Sequence, residues 1–212
     1  PNQKIYSDKL SKFVVKCNTR SDGAVIDRLS RIYTDIFIDE VQDLAGYDLE
    51  FLKLLFQCKI NTLLVGDPRQ GTYSTNNSSK NKKYKKANIV NFFGDKSINI
   101  ETDNRSLTIN YRSCSEICEL SNKLYPDLQE TTSGSKITTE HDGLFLVKRQ
   151  DVKDYLLKYK PVQLRDNVKT EVIDEDYKVM NFGKSKGLEF DRVLIYPTNP
   201  FIAWLKDNNK EL

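Results

Sequence analysis

Short apolar runs that alternate with amphipathic segments predict a parallel α/β protein. Runs of apolar or β-branched residues bounded by polar turns are predicted as strands at 36–38, 62–65, 107–109, 144–147, 161–164, 178–180 and 193–196. Apolar residues recur at helical spacing within 49–56, 117–124 and 152–159. We expect Ser113 or Ser115 to cap the second of these helices. Strands that alternate with helices favour parallel sheets.

Two polar stretches and one change of pattern suggest how the chain is organised. Residues 74–88 are polar and basic and are predicted to form a long exposed loop, and residues 130–143 are polar and rich in turn formers. One α/β pattern ends near Asn110 and a second begins there. We therefore expect one domain at 1–109 and another at 110–212, which is feasible for a chain of 212 residues.

Composition excludes a few classes of protein. No run approaches the roughly 20 apolar residues that a membrane span needs, so no membrane partner is expected. The net charge of +3 is nearly balanced and favours no class of partner by itself. Cys17, Cys58, Cys114 and Cys118 match no zinc pattern, and His141 is the only histidine. We expect free buried thiols and a cytoplasmic protein.

The end of the first predicted strand carries two acids that suit hydrolytic chemistry. Asp39 and Glu40 follow the run 36–38 directly. Ligands bind at the carboxyl ends of strands in open α/β sheets. An Asp there can hold Mg²⁺, and a neighbouring Glu can orient and deprotonate a water molecule. The alternative is an acidic turn with no chemical role.

Two later strand ends carry further candidates for phosphate recognition. Gly66 permits a tight turn, and Gln70 offers a neutral donor to a terminal phosphate. Arg112 follows the run 107–109, and its planar guanidinium suits phosphate recognition and charge stabilisation in phosphoryl transfer. An interdomain salt bridge is the alternative role for Arg112.

Four motifs in a fixed order resemble those of one enzyme family. They are Asp-Glu-Val-Gln-Asp at 39–43, Gly-Asp-Pro-Arg-Gln at 66–70, Asn-Tyr-Arg-Ser at 110–113 and Lys-Gly-Leu-Glu-Phe at 186–190. This set resembles motifs II, III, IV and V of UvrD/Rep-type superfamily 1 DNA helicases, over about residues 32–197. The resemblance implies two incomplete RecA-like P-loop NTPase domains with parallel sheets. It also implies ATP and Mg²⁺ as cofactors and single-stranded or partially duplex DNA as partner, with 3′ to 5′ movement.

The resemblance assigns roles residue by residue. It implies that Asp39 binds Mg²⁺, that Glu40 activates the attacking water and that Gln70 contacts the γ-phosphate. Arg112 would reach the γ-phosphate from the second domain. Glu189 would contact the ribose of ATP, and Tyr73 matches an aromatic residue close to the bound strand.

The chain departs from the family pattern at several points. It contains no Gly-x-x-x-x-Gly-Lys-Ser/Thr loop and no Thr-x-Arg element after motif V. Asn181 and Gly183 stand where the family has Thr and His, and Thr75 stands at a position that is often a base-stacking aromatic. We expect a piece of a longer helicase that does not hydrolyse ATP alone.

A basic segment follows motif III. Lysines crowd residues 80–86 around Tyr84. Such a segment suits a nucleic-acid backbone, with contacts from Lys82, Lys83, Lys85 and Lys86. A solvated loop is the alternative. For the whole chain, the alternative function is a nucleotide-sensing or scaffold module that keeps the fold without translocating.

Overall fold

The computed structural model describes residues 6–76 and 78–208. The chain divides into two compact units, Pro1–Thr138 and Thr139–Leu212. Every strand pair among the described residues is parallel. The predicted α/β class with small parallel sheets is therefore confirmed.

In the first unit, the other elements surround helix α3, which packs on a two-stranded sheet. Its helices are α1 Ser7–Arg20, α2 Ala24–Ile32, α3 Tyr47–Phe56, α4 Ile89–Phe93 and α5 Ser115–Leu124. Its strands are β1 Asp35–Ile38, β2 Asn61–Leu64, β3 Ile109–Asn110 and β4 Thr132–Ser133. β1 pairs with β2 and β3 pairs with β4. Short 3-10 turns lie at Val41–Asp43, Pro68–Gln70, Lys82–Tyr84 and Lys86–Asn88.

The core of this unit forms along one stripe of α3. Leu49, Leu52 and Leu55 recur at helical spacing, so they share a face, and all three are buried. Phe92 of α4 packs into the same cluster. The ring of Tyr84 meets Phe92 edge-on, with centroids 5.4 Å apart. The sheet contributes its inward residues, among them Ile36, Ile38 and Leu64.

The outward face of the same sheet stays exposed in the described chain. Phe37 lies directly opposite Leu63 across the strand pair. Their side chains alternate away from the core, and they are 74% and 56% exposed. This face is thus apolar and uncovered by the residues that the structure describes.

The second unit is a three-stranded parallel sheet with β5 at its centre. Its strands are β5 Val162–Arg165, β6 Val179–Asn181 and β7 Val193–Ile195, in the order β6-β5-β7. Its helices are α6 Val152–Tyr159, α7 Phe182–Ser185 and α8 Asn199–Asn208. Val152 and Leu156 of α6 are buried, as are Gln163 and Leu164 of β5.

Two local predictions are wrong. Residues 144–147 form no strand, and Phe145 instead stacks on His141 with centroids 3.9 Å apart. A strand needs a pairing partner, which this apolar run does not meet. Neither predicted serine caps α5, which begins after Cys114 without a side-chain cap. The Ser115 hydroxyl donates to Glu116 instead, at 3.0 Å.

The compact units divide at a different point from the predicted domains. Residues after Asn110 pack within the first unit, because the Tyr125 hydroxyl donates to the Arg69 carbonyl at 3.1 Å. The Arg69 guanidinium also donates to the carbonyl of Gln129. The predicted boundary between residues 109 and 110 concerns domains as the helicase family defines them, and it stays a prediction. The contacts in this structure extend the first compact unit to Thr138.

Two further expectations meet the structure directly. All four cysteines are free, as predicted, although Cys118 alone among them is fully buried. Burial raises the pKa of the Cys118 thiol. None of the helices in the described ranges is long and apolar enough to cross a membrane.

Leu55 provides a test of the α3 core. Leu55→Ala removes a fully buried side chain, so we expect the free energy of unfolding to fall by about 2–5 kcal/mol. Leu107→Ala is the matched control, because Leu107 is 80% exposed and its truncation leaves no cavity. Urea unfolding followed by circular dichroism measures both. Equal losses in the two variants would contradict this description of the core.

Candidate functional site at the ends of β1 and β2

The register of β1 and β2 brings their carboxyl ends side by side. The Val65 N–H donates to the Ile38 carbonyl at 2.9 Å, and the Val41 N–H donates to the Val65 carbonyl at 3.1 Å. These bonds continue the parallel ladder beyond the last strand residues. The acidic pair after β1 therefore lies beside the turn that follows β2.

The acidic pair adopts an unusual backbone conformation. Glu40 has φ 55° and ψ 37°, in the left-handed region that residues other than glycine rarely occupy. Its N–H donates to the Asp39 carboxylate at 2.7 Å. Both acids are exposed. A non-glycine residue held in this region costs on the order of 1–3 kcal/mol, and such residues cluster at functional sites.

A buried glutamine connects the acidic pair to the next strand. The Gln42 Nε2 donates to Glu40 Oε2 at 2.6 Å, and Gln42 Oε1 accepts from the Asp67 N–H at 3.1 Å. The Gln42 side chain is 1% exposed. No local sequence pattern signals this role, because the burial of Gln42 and its contact with Asp67, 25 positions along the chain, appear only in three dimensions.

The turn after β2 is organised by Asp67. Its carboxylate accepts from the Arg69 N–H at 3.0 Å, which caps the 3-10 turn. The same carboxylate accepts from Gln70 Nε2 at 3.3 Å. The structure therefore brings the exposed Gln70 into one hydrogen-bonded group with the Gln42 and Glu40 side chains.

Arg69 anchors this turn and was also missed from sequence. Its side chain is 13% exposed, and its Nη1 lies 3.6 Å from Asp67 Oδ1. The opposite side of the guanidinium donates to Gln129, as described above. In the sequence, Arg69 stands out only as a member of the Gly-Asp-Pro-Arg-Gln motif. Its partner 60 positions along the chain is visible only in three dimensions.

The other predicted nucleotide contacts belong to other elements of the chain. Arg112 follows β3 in the first unit, in a turn where its N–H donates to Asn110 Oδ1 at 2.9 Å. Its side chain is exposed. Glu189 belongs to the second unit, between α7 and β7. It lines a cavity of about 440 Å³ together with Tyr159, Lys160 and Arg192.

The acidic pair suits a magnesium ion of the NTPase kind. The described residues contain no group of three or more His, Cys, Asp and Glu side chains that could enclose a metal. Mg²⁺ bound with a nucleotide needs only one or two carboxylates, because water and phosphate oxygens complete its shell. Asp39 and Glu40 match this requirement and do not match an all-protein metal cage.

The basic segment after the turn is anchored rather than loose. Tyr84 is buried in the core, and its hydroxyl donates to Asp95 at 3.0 Å. The backbone N–H and hydroxyl of Ser97, followed by Tyr84, lower the pKa of Asp95 to about 2. The predicted exposed loop with an interleaved nucleic-acid tyrosine is therefore wrong for Tyr84. Burial of this large aromatic ring in the core stabilises the fold more than exposure of the ring to water would.

The lysines around Tyr84 project outward. Lys82, Lys83 and Lys86 are exposed and Lys85 is half-buried. The ammonium group of Lys83 lies 4.6 Å from the centre of the Tyr84 ring. A hydrogen bond with Tyr84 raises the pKa of Lys83, so the positive charge persists at alkaline pH.

The basic segment also touches the turn that carries Gln70. A Cβ added at Gly71 would lie 2.6 Å from the backbone nitrogen of Ala87 and 2.7 Å from the carbonyl carbon of Lys86. The two backbones approach so closely that only glycine fits between them. The basic segment and the Gln70 turn are thus packed directly against each other.

Tyr73 and Thr75 line the same small cavity but differ in exposure, because Tyr73 is exposed and Thr75 is half-buried. Tyr73 is 61% exposed beside a cavity of about 230 Å³ that Ser7, Leu44 and Asp48 also line. Thr75 turns inward, since its hydroxyl and its N–H donate to the Asp43 carbonyl at 3.0 and 2.9 Å. Position 75 thus secures the loop, and the exposed aromatic at this surface is Tyr73.

Comparison with known proteins points to one family. Residues 5–88 match the family model described as the UvrD/REP helicase N-terminal domain. A stretch of 117 residues is 28% identical to the RecBCD enzyme subunit RecB of Borreliella burgdorferi. That stretch is 55% of this chain and 9% of the relative, so the chain spans less than a tenth of that protein's length. The resemblance predicted from the four motifs is confirmed.

Gly66 tests the contact between the two strand ends. A Cβ at this position would lie 2.4 Å from Gln42 Oε1 and 2.8 Å from Val41 Cγ2. Gly66→Ala should therefore lower the free energy of unfolding by about 1–3 kcal/mol, the usual cost of overpacking. Gly183→Ala is the matched control, because a Cβ there meets no heavy atom of the described chain within 4 Å. A Gly66→Ala protein as stable as the control would contradict the observed packing.

Proposed function

We propose that this chain, which matches the UvrD/REP helicase N-terminal domain over residues 5–88, forms part of an ATP-dependent translocase on single-stranded DNA. ATP hydrolysis would drive stepping and unwinding, in the 3′ to 5′ direction that the motif resemblance implies. The observation that carries the proposal is the acidic pair at the end of β1, hydrogen-bonded through Gln42 to the turn that presents Gln70.

The proposed chemistry assigns one task to each side chain. Asp39 would hold a magnesium ion, which would supply positive charge to stabilise phosphoryl transfer. Glu40 accepts a proton from the attacking water, which general base catalysis requires. Gln70 donates to the γ-phosphate through its neutral amide and so distinguishes ATP from ADP.

Two further groups belong to the proposal. Arg112 would stabilise charge on the γ-phosphate, and its exposed position after β3 is compatible with that role. Glu189 would hold the ribose, and it lines a cavity in its own unit. We further propose that residues 1–109 and 110–212 are parts of two RecA-like domains.

DNA would bind along the surface that follows motif III. Exposed lysines at 82, 83 and 86, together with half-buried Lys85, supply charge for phosphates, and exposed Tyr73 offers a ring to a base. The packing of Lys86 on Gly71 gives this surface a direct contact with the Gln70 turn. The proposal extends to a partner protein, because the relative is by name a subunit of RecBCD enzyme.

The second candidate is a nucleotide-sensing or scaffold module that does not translocate. The acidic pair favours hydrolysis, since a scaffold has no need of a strained glutamate beside Asp39. The two candidates differ in whether hydrolysis depends on Glu40.

Glu40→Gln tests the proposed general base. The change keeps size and removes basicity, so kcat for ATP should fall by about 10²–10⁴-fold while nucleotide binding through Asp39 persists. The measurement is DNA-stimulated ATP hydrolysis in a form of the protein that joins these residues to a phosphate-binding loop. Glu101→Gln, at an exposed position outside the site, is the matched control.

Two results would count against this assignment. Near-normal turnover by the Glu40→Gln protein would show that another group is the base. The 212-residue chain alone should hydrolyse no ATP, because it lacks the amides and lysine that hold the phosphates. Turnover by this chain on the order of 1–10³ per second would show that its phosphate site is built differently.

The salt dependence of DNA binding tests the basic segment. If it neutralises about three phosphates, log K against log salt concentration should fall with a slope near −2. Serine at 82, 83, 85 and 86 should flatten this slope in fluorescence anisotropy with labelled single-stranded DNA. A control with serine at the exposed lysines 123, 136, 148 and 153 makes the same change in net charge. Equal slopes in the two variants would show that binding does not depend on this segment.

A further inference from the structure

We infer that Gln42 is the positioning residue for the proposed hydrolysis, because its amide fixes the Glu40 carboxylate relative to the turn after β2. The inference rests on the role proposed for Glu40. It adds a residue that the motif-based assignment left without a function, and it explains why the two strand ends act as one site.

The chemistry of the two partners identifies the amide. A carboxylate only accepts hydrogen bonds and a backbone N–H only donates one. Gln42 therefore must present nitrogen to Glu40 and oxygen to Asp67, as the distances of 2.6 and 3.1 Å show. A glutamate at position 42 would place a second negative charge beside Glu40. A methionine could make neither of the two hydrogen bonds. Among side chains of this length, glutamine alone satisfies both ends.

The burial of Gln42 makes the link rigid. The side chain is 1% exposed, and Gly66 leaves it no spare volume, because even a Cβ there would collide with Oε1. Glu40 itself is exposed, so its carboxylate has more rotamers within reach than a buried side chain has. A bond to one carboxylate oxygen from a fixed amide restricts this choice of rotamers, and restricted geometry is what general base catalysis needs.

The same amide connects the base to the proposed γ-phosphate sensor. Gln42 holds the N–H of Asp67, while the Asp67 carboxylate holds Gln70 Nε2 at 3.3 Å. A shift of Gln70 toward a phosphate would reach Glu40 through two side chains. Gln42 thus links nucleotide sensing to water activation within a single unit.

Gln42→Met tests the link in the 212-residue chain without any nucleotide. Methionine keeps length and volume and removes both polar ends. Amide hydrogen exchange of Asp67, measured by NMR, should become about five- to tenfold faster, as expected for the loss of one hydrogen bond. The Val65 N–H, which donates to Ile38 in the ladder, should be unchanged. Side-chain scalar couplings of Glu40 should shift toward rotamer-averaged values.

Gln163→Met is the matched control. Gln163 is also fully buried, its Nε2 donates to the Asp174 carbonyl at 2.7 Å, and its Oε1 accepts from the Tyr196 hydroxyl at 2.6 Å. It lies in the second unit. Its loss should affect exchange there and leave Asp67 and Glu40 as in the native protein.

The second measurement separates a positioning role from a structural one. In an ATP-hydrolysing form of the protein, Gln42→Met should lower kcat by about 10–10²-fold with little change in KM. Adding it to Glu40→Gln should cause no further loss, because it acts through Glu40.

Each outcome decides between the two claims. Unchanged Asp67 exchange and Glu40 couplings in Gln42→Met would overturn the inference, and so would multiplying losses in the double variant. Normal turnover by Glu40→Gln would overturn the proposed function instead, while the exchange data would still report whether Gln42 makes the link.

Discussion

The in-register parallel pairing of β1 and β2 is the constraint on which the candidate site depends. Four pairs of residues, from Asp35 with Asn61 to Ile38 with Leu64, bring both strands to an end at the same level. A one-residue slip of β1 would move Ile36 and Ile38 out of the core and separate the acidic pair from the second turn. The α3 core therefore holds the chemistry in place, since it buries only one face of this sheet.

Two close contacts, at Gly66 and Gly71, join the paired strand ends to the neighbouring segments. Gly66 admits the Gln42 amide, and Gly71 admits the backbone of the basic segment at Lys86. Arg69 holds the turn between these glycines from the other side. The carboxylate of Asp67 is the common acceptor of the turn, so its orientation affects Gln70 and Arg69 together.

The sequence predicted strand positions and motif order well, because both depend on local pattern. β1, β2, β5, β6 and β7 fall within about a residue of the predicted runs. The run 144–147 has the same apolar pattern as these strands, and only the structure shows that it pairs with no strand. Gln42 and Arg69 could not be assigned from sequence, since their roles come from partners 25 and 60 positions away. Tyr84 was predicted to lie in an exposed loop because the lysines around it make the local sequence polar. In the structure its ring is buried in the core.

The burial of Tyr84 means that the fold constrains this position of the basic segment more strongly than it constrains the lysine side chains around it. Its ring and hydroxyl are committed to Phe92 and Asp95, so a change at this one position disturbs the fold. The lysines on either side have no such commitment to the core. Their exposed side chains can be exchanged, so the positive charge of this surface can be raised or lowered without altering the backbone that presents it.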